Sequence, residues 1–214
     1  MKFKIVSLFV LCAILISCGT SRQGGKKQRK GTKAQVVLTP EQQRKYDYFF
    51  LEASRLKMKD VHSAAFDLLQ HCLTINPNAS SALYEISQYY MYLKQVPQGQ
   101  AALEKAVEND PDNYWYSQGL ASLYQQQNEM QKATNLLESM ATRFSDRMDP
   151  LYSLLDIYNR LEEYDNVITT LNRLEEKMGK NEQLSMEKFR IYLQKKDNQS
   201  AFREIESLVE EYPM

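Results

Sequence analysis

The chain has 214 residues, with 27 basic and 27 acidic side chains, three cysteines and two histidines. The formal net charge of zero hides a strong asymmetry. Eight of the basic residues and none of the acidic ones precede Val37, so the remainder carries 19 basic against 27 acidic groups, a balance that argues against nucleic acid as the partner.

In chain order, Lys2 and Lys4 come first, followed by an apolar run from Ile5 to Ile16 and then Ser17 and Cys18. This is the layout of a secretory signal, and the run is too short to span a bilayer. The tetrad Leu15, Ile16, Ser17, Cys18 resembles the lipobox of bacterial lipoproteins. That resemblance implies removal of a signal peptide at 1–17 and acylation of Cys18 by fatty acids such as palmitate, which anchors the protein to a membrane. Several acyl chains hold where one binds only reversibly. Gly19 is not the aspartate that retains enterobacterial lipoproteins in the inner membrane, and no acidic cluster of the kind linked to surface export follows. The expected location is therefore the outer membrane, facing the periplasm.

Residues 18–38 read as the lipidated cysteine and a flexible tether. The segment from Gly19 to Val37 lacks hydrophobic periodicity and carries Arg22, Lys26, Lys27, Arg29, Lys30 and Lys33 with no acid. Such a basic linker beside a lipid anchor suits an anionic leaflet. Helical signals begin at Thr39. It is placed to cap a helix, Pro40 suits the first helical position, and Gln42 stands three residues on, as a capping box requires.

From here to residue 214 one pattern returns every 34 residues. Ala53, Ser87, Ala121, Leu155 and Phe189 form one column, and Leu56, Tyr90, Tyr124, Tyr158 and Tyr192 a second. A third holds Ala65, Gly99, Ala133, Val167 and Ala201, and a fourth Leu69, Leu103, Leu137, Leu171 and Ile205. A last column of helix-stopping residues has Pro77, Pro111, Ser145, Gly179 and Pro213. In the second unit Leu83, Ile86, Ser87 and Tyr90 share one helical face, as do Gly99, Leu103 and Ala106. The two stripes face each other across a turn expected over Lys94 to Gln98, which contains Pro97. The columns resemble the tetratricopeptide repeat family, whose unit is a helix–turn–helix of this length. The resemblance implies an all-α fold, a right-handed solenoid of stacked hairpins over 39–214 with repeats starting near 46, 80, 114, 148 and 182.

The last repeat has no polar capping helix after it, so Ile205, Leu208 and Val209 are expected to face solvent. The sequence thus leaves two readings for that end, further repeats or a docking partner.

No constellation of catalytic or metal-binding type stands out, and no cofactor is expected. His62 and His71 lack a second imidazole or a thiol at ligand spacing. Adjacent pairs such as Glu162 with Glu163 diverge on a helix. No phosphate loop or nucleophile elbow occurs. With Cys12 in the signal and Cys18 acylated, Cys72 is left as a small buried hydrophobe. Asn78 and Asn198, which start glycosylation-like triplets, are read as a helix start and a turn respectively.

The remaining feature is a groove. In the family, ligands lie on the concave surface made by the first helix of each repeat, and the matching positions here include Phe50, Tyr84, Gln88, Met91, Tyr92, Trp115, Gln118, Tyr152, Asn159, Arg160 and Arg190. Aromatic and methionine side chains anchor protein interfaces, and amides suit an extended backbone. The pairs at the fifth and ninth positions, Phe50 with Ser54 and Tyr84 with Gln88, lack the lysines and asparagines with which family members clamp a terminal carboxylate. Glu104 and Glu138 are taken as free acidic positions on the opposite face. The expected function is a membrane-anchored, non-enzymatic scaffold that holds a protein or peptide, in an outer-membrane assembly or secretion complex. The competing reading is a lipoprotein regulator of a peptidoglycan synthase or another cell-wall enzyme.

Overall fold

A computed structural model describes residues 37–211. The signal segment, Cys18, the tether up to Val36 and Pro213 lie outside them. Ten helices make up the described residues: α1 (Pro40–Lys57), α2 (His62–Ile75), α3 (Ser80–Tyr92), α4 (Val96–Asn109), α5 (Tyr114–Gln126), α6 (Met130–Arg143), α7 (Asp149–Arg160), α8 (Tyr164–Met178), α9 (Glu182–Gln194) and α10 (Asn198–Glu211). Each packs chiefly against the helices before and after it, so the chain is a row of five hairpins, an all-α solenoid.

The capping box forms as the residues require. Thr39 Oγ1 accepts the Gln42 amide at 3.2 Å and Gln42 Oε1 accepts the Thr39 amide at 2.9 Å, with Pro40 in the first turn. Each hairpin then turns in the same way. Asp60, Lys94, Asn128, Glu162 and Lys196 all have left-handed backbone, with φ between 57° and 61°. The amide just after each of them donates to the carbonyl of Leu56, Tyr90, Tyr124, Tyr158 or Tyr192 at 2.8–3.0 Å, closing a Schellman motif. The second column, Leu56 in the first repeat and tyrosine in the other four, therefore supplies the acceptor that ends each first helix.

The same five residues that donate these bonds then accept, through their carbonyls, the amides of Ala65, Gly99, Ala133, Val167 and Ala201 at 3.0–3.2 Å, which starts the second helix. The turn is thus shorter than Lys94 to Gln98. Pro97 sits inside the first turn of α4, where its missing N–H has no helical partner to lose. The two asparagines exchange roles as well. Asn78 lies in the turn before α3, its carbonyl accepting from Asn109 Nδ2 at 3.0 Å, and Asn198 opens α10.

All five small-column residues are buried, and at Gly99 an added Cβ would stand 3.0 Å from Met91 Cε and 3.2 Å from the Ser87 carbonyl. The bulkier Leu155 and Phe189 of the later repeats are only partly buried. The apolar interior divides into two clusters. One joins the first two repeats around Ala65, Leu69, Leu83 and Ile86. The other runs from Leu103 through Leu137, Leu154 and Leu171 to Ile191. Tyr84 packs against both, with its ring stacked on Tyr116 at 4.7 Å. In α10, Ile205 and Leu208 are half-buried and Val209 is exposed.

Candidate partner-binding face

The first helices α1, α3, α5, α7 and α9 carry the groove positions, and the structure sorts them into two groups. Phe50 is half-buried and stacked on Tyr46 at 5.9 Å. Tyr84 gives its ring to Tyr116, Met91 folds over Gly99, and Gln118 is half-buried. Tyr84 is held by the next repeat, Phe50 and Met91 pack within their own, and all four are partly buried, so truncating them disturbs packing.

The second group faces solvent: Gln88, Tyr92, Trp115, Tyr152, Asn159, Arg160 and Arg190. Trp115 is 62% exposed and Tyr152 49% exposed. Their positions are nonetheless defined. Tyr114 meets Trp115 edge-on at 5.4 Å, and the Arg147 guanidinium lies 4.0 Å from the Tyr114 ring centroid and 5.6 Å from that of Trp115. Arg147 is in turn 3.6 Å from Asp149, which accepts the Tyr114 hydroxyl at 3.3 Å. The Tyr152 hydroxyl contacts Met178 Sδ at 3.4 Å. Arg160 pairs loosely with Asp156 at 3.9 Å and Arg190 with Glu187 at 2.8 Å. Arg147, which the offsets of the groove do not include, reaches this face from the turn between α6 and α7. Its signal in the sequence was a cation two residues from Asp149, next to an aromatic pair one repeat earlier.

On the other side Glu104 and Glu138 are not free. Glu104 Oε1 accepts the Tyr124 hydroxyl at 2.9 Å and the Gln100 amide at 2.9 Å. Glu138 accepts the Tyr158 hydroxyl at 3.3 Å and Arg173 at 2.7 Å. Both glutamates tie one repeat to the next. The solvated-face reading fails because a tyrosine 20 residues away in sequence lies within hydrogen-bond reach. Burial and the neighbouring carboxylate push the Tyr124 and Tyr158 phenols above their usual range.

Among the described residues no group of three or more His, Cys, Asp or Glu is arranged to hold a metal ion, and no helix is long and apolar enough to cross a membrane. His62 and His71 are exposed, and His71 lies 5.6 Å from the ring of Phe49. Cys72 is fully buried and its thiol is pushed up to about 11 by desolvation.

The geometry defines an all-α repeat protein whose units are helical hairpins. The tetratricopeptide repeat family is supported directly in one unit, since a tetratricopeptide repeat model matches residues 80–113. Solved structures with this fold include a MamA protein, 17% identical with a TM-score of 0.57 over 80% of this chain and 97% of that one. A tetratricopeptide repeat protein from Parabacteroides merdae is 16% identical with a TM-score of 0.57, over 79% of this chain and 68% of that one. YrrB, described as a TPR protein with an unusual peptide-binding site, is 13% identical with a TM-score of 0.54, over 77% and 85% respectively. No curated protein is similar enough in sequence to be matched.

Proposed function

We propose that this protein is a lipid-anchored, non-enzymatic scaffold that binds a protein partner along the first helices of its repeats, within an outer-membrane assembly or secretion complex. The observation that carries the binding part is the exposure of Trp115 and Tyr152 on successive first helices, with Arg147 between them in the chain fixed over two rings. Aromatic and arginine side chains held rigid before binding lose little entropy on association, which is the composition of interface hot spots. The peptide-binding site named for YrrB supports the class of ligand. The anchor rests on the lipobox-like tetrad ending at Cys18.

Two measurements test the two parts separately. Cys18→Ala is expected to abolish fatty-acid labelling and to leave uncleaved precursor; labelling that persists in this variant overturns the anchor. Trp115→Ala and Tyr152→Ala are each expected to weaken capture of the partner from solubilised envelope by ~2 kcal/mol while leaving the melting temperature near wild type. Exposed Ser139 and Glu176 on α6 and α8 serve as controls in place of Glu104 and Glu138. Normal capture by both aromatic variants refutes the binding face. Assembly or secretion components in the eluate support the proposed complex, whereas a peptidoglycan synthase supports the regulatory reading instead.

A further inference from the structure

The outer face of α1 is built unlike that of the later first helices. Arg44, Tyr48, Leu51 and Arg55 follow one another at steps of four, three and four residues and so lie in one stripe, opposite the buried Tyr46 and Ala53. Tyr48 is 65% exposed and Leu51 69%. The helices α3, α5, α7 and α9 each pack on the hairpin before them, and there the places of Arg55 hold Tyr89, Leu123, Ile157 and Ile191, none more than 8% exposed. The places of Tyr48 hold Ala82, Tyr116, Pro150 and Leu184, all at least partly withdrawn from water. A further hairpin, or the end of a second copy, stacked on α1 in the same way would bury the Arg55 guanidinium, a cost that the apolar residues of the later repeats do not carry. A solenoid end meant for water alone has a polar outer face, whereas this one sets a tyrosine and a leucine in mid-stripe. Arginine, tyrosine and leucine in one exposed line are the composition of a helix lying in a membrane interface: rings and aliphatic stems go down towards the acyl chains, and guanidinium groups stay among the headgroups. The charge selects the lipid. Of the acids beside the stripe, Glu41 is paired with Lys45 and Glu52 with Arg55, so Arg44 and, just beyond the helix, Lys59 give the face a positive sign.

We infer that α1 docks on an anionic bilayer surface through Arg44, Tyr48, Leu51 and Arg55. The inference rests on the lipid anchor proposed above, which holds the chain at a membrane, and α1 is the first described helix after the segment that carries Cys18 and six basic residues. A single short stripe binds a free bilayer weakly. An anchor on the same chain makes that contact intramolecular, at high effective concentration. Docked in this way, the row of hairpins is held to the membrane by its first repeat as well as by the anchor.

The test uses the acylated chain, purified in detergent and reconstituted into vesicles of phosphatidylcholine alone or mixed with phosphatidylglycerol, both with brominated acyl chains. Trp115→Phe removes the one native tryptophan, and Tyr48→Trp puts an amphipathic reporter into the stripe. Its fluorescence is expected to be quenched on the phosphatidylglycerol vesicles and much less on phosphatidylcholine, with the difference shrinking as salt is raised. Arg44→Gln is expected to lower the docked-to-free ratio about fivefold, the worth of one basic residue near such a surface. Leu51→Ser is expected to lower the quenching too, which a purely ionic contact would not show. With the reporter moved to the exposed face of α6 by Ser139→Trp, emission is expected to stay unquenched. Equal quenching on the two kinds of vesicle, or quenching untouched by Arg44→Gln or by Leu51→Ser, overturns the inference. Blue-shifted emission without quenching also overturns it, because a protein then covers the stripe. A chain that floats with neither vesicle lacks the anchor and overturns both readings, whereas a chain that floats with its reporter in the stripe unquenched overturns this one alone.

Discussion

Five side chains other than glycine hold a left-handed backbone at equal spacing, and three of them, Lys94, Glu162 and Lys196, have no special aptitude for it. Asn and Asp tolerate this region, whereas Cβ sterics cost most other residues ~1 to 2 kcal/mol there. Replacing Lys94 or Glu162 by glycine is therefore expected to raise stability by ~1 kcal/mol, after subtracting the extra freedom glycine gives the unfolded chain. Asn128→Gly is expected to change it less. Urea denaturation of the three variants checks the order, and a loss of stability in Lys94→Gly contradicts the strain. A second expectation concerns Cys72, buried at 0% exposure with its thiol near 11. Alkylation by iodoacetamide at neutral pH is expected to be negligible in the folded protein and to appear only as the first repeat opens, because the thiolate is the reactive form. Rapid labelling under native conditions means that the α1–α2 pair does not protect it.

At the scale of the element, the last repeat is bonded differently from the rest. Lys188 of α9 is 3% exposed and meets Glu175 of α8 at 2.8 Å and Glu204 of α10 at 3.1 Å. Lys180 adds a contact with Glu204 at 3.6 Å and donates to Ser207 at 2.6 Å. Three helices thus close around charge where earlier repeats close around leucine. Removing one member of a buried ionic cluster leaves its partners uncompensated, so Lys188→Ala is expected to cost ~3 kcal/mol. Lys188→Met, which fills the space, still takes the cation from Glu175 and leaves Glu204 to Lys180, and is expected to fall between wild type and alanine, because repacking around an apolar chain is favourable only when the whole cluster is replaced. Chemical denaturation followed by far-ultraviolet dichroism measures both.

This cluster was not legible in the sequence, and the reason is physical. A lysine one residue before a column position carries no sign that glutamates 13 residues earlier and 16 later converge on it. By contrast, hairpin length, the small column at Ala65, Gly99, Ala133, Val167 and Ala201, and the Thr39 cap were legible, because they depend on local backbone bonds and on a strict period. The groove sits between the two cases. Its residues were named by offset, but whether a ring faces water or a neighbour depends on the adjoining repeat: Tyr84 has Tyr116 beside it and Tyr152 has only the tip of Met178.

Across the whole molecule, stability is the sum of hairpins and the interfaces between them, and those interfaces are stitched at regular intervals. Tyr46 bonds Ser81 at 3.0 Å, Tyr114 bonds Asp149 and Arg173 bonds Glu138, each 35 residues apart. The two apolar clusters meet at Tyr84, which packs against both. Leu137, inside the larger one at 3% exposure, is expected to cost ~2 to 5 kcal/mol when changed to alanine. Tyr84→Ala acts at the junction and is expected to uncouple the halves, turning one urea transition into two, with repeats one and two melting apart from three to five. A single transition in that variant means the junction does not depend on the Tyr84–Tyr116 stack.

The chain contains one tryptophan, and it is Trp115. Its indole stands mostly in water beside a tyrosine ring and a guanidinium, so the light it emits reports on that face alone. A partner that covers it excludes water and shifts the emission to the blue; one that docks elsewhere leaves the spectrum still. The protein thus carries its own unlabelled optical gauge of occupancy, readable in a cuvette before any partner has a name.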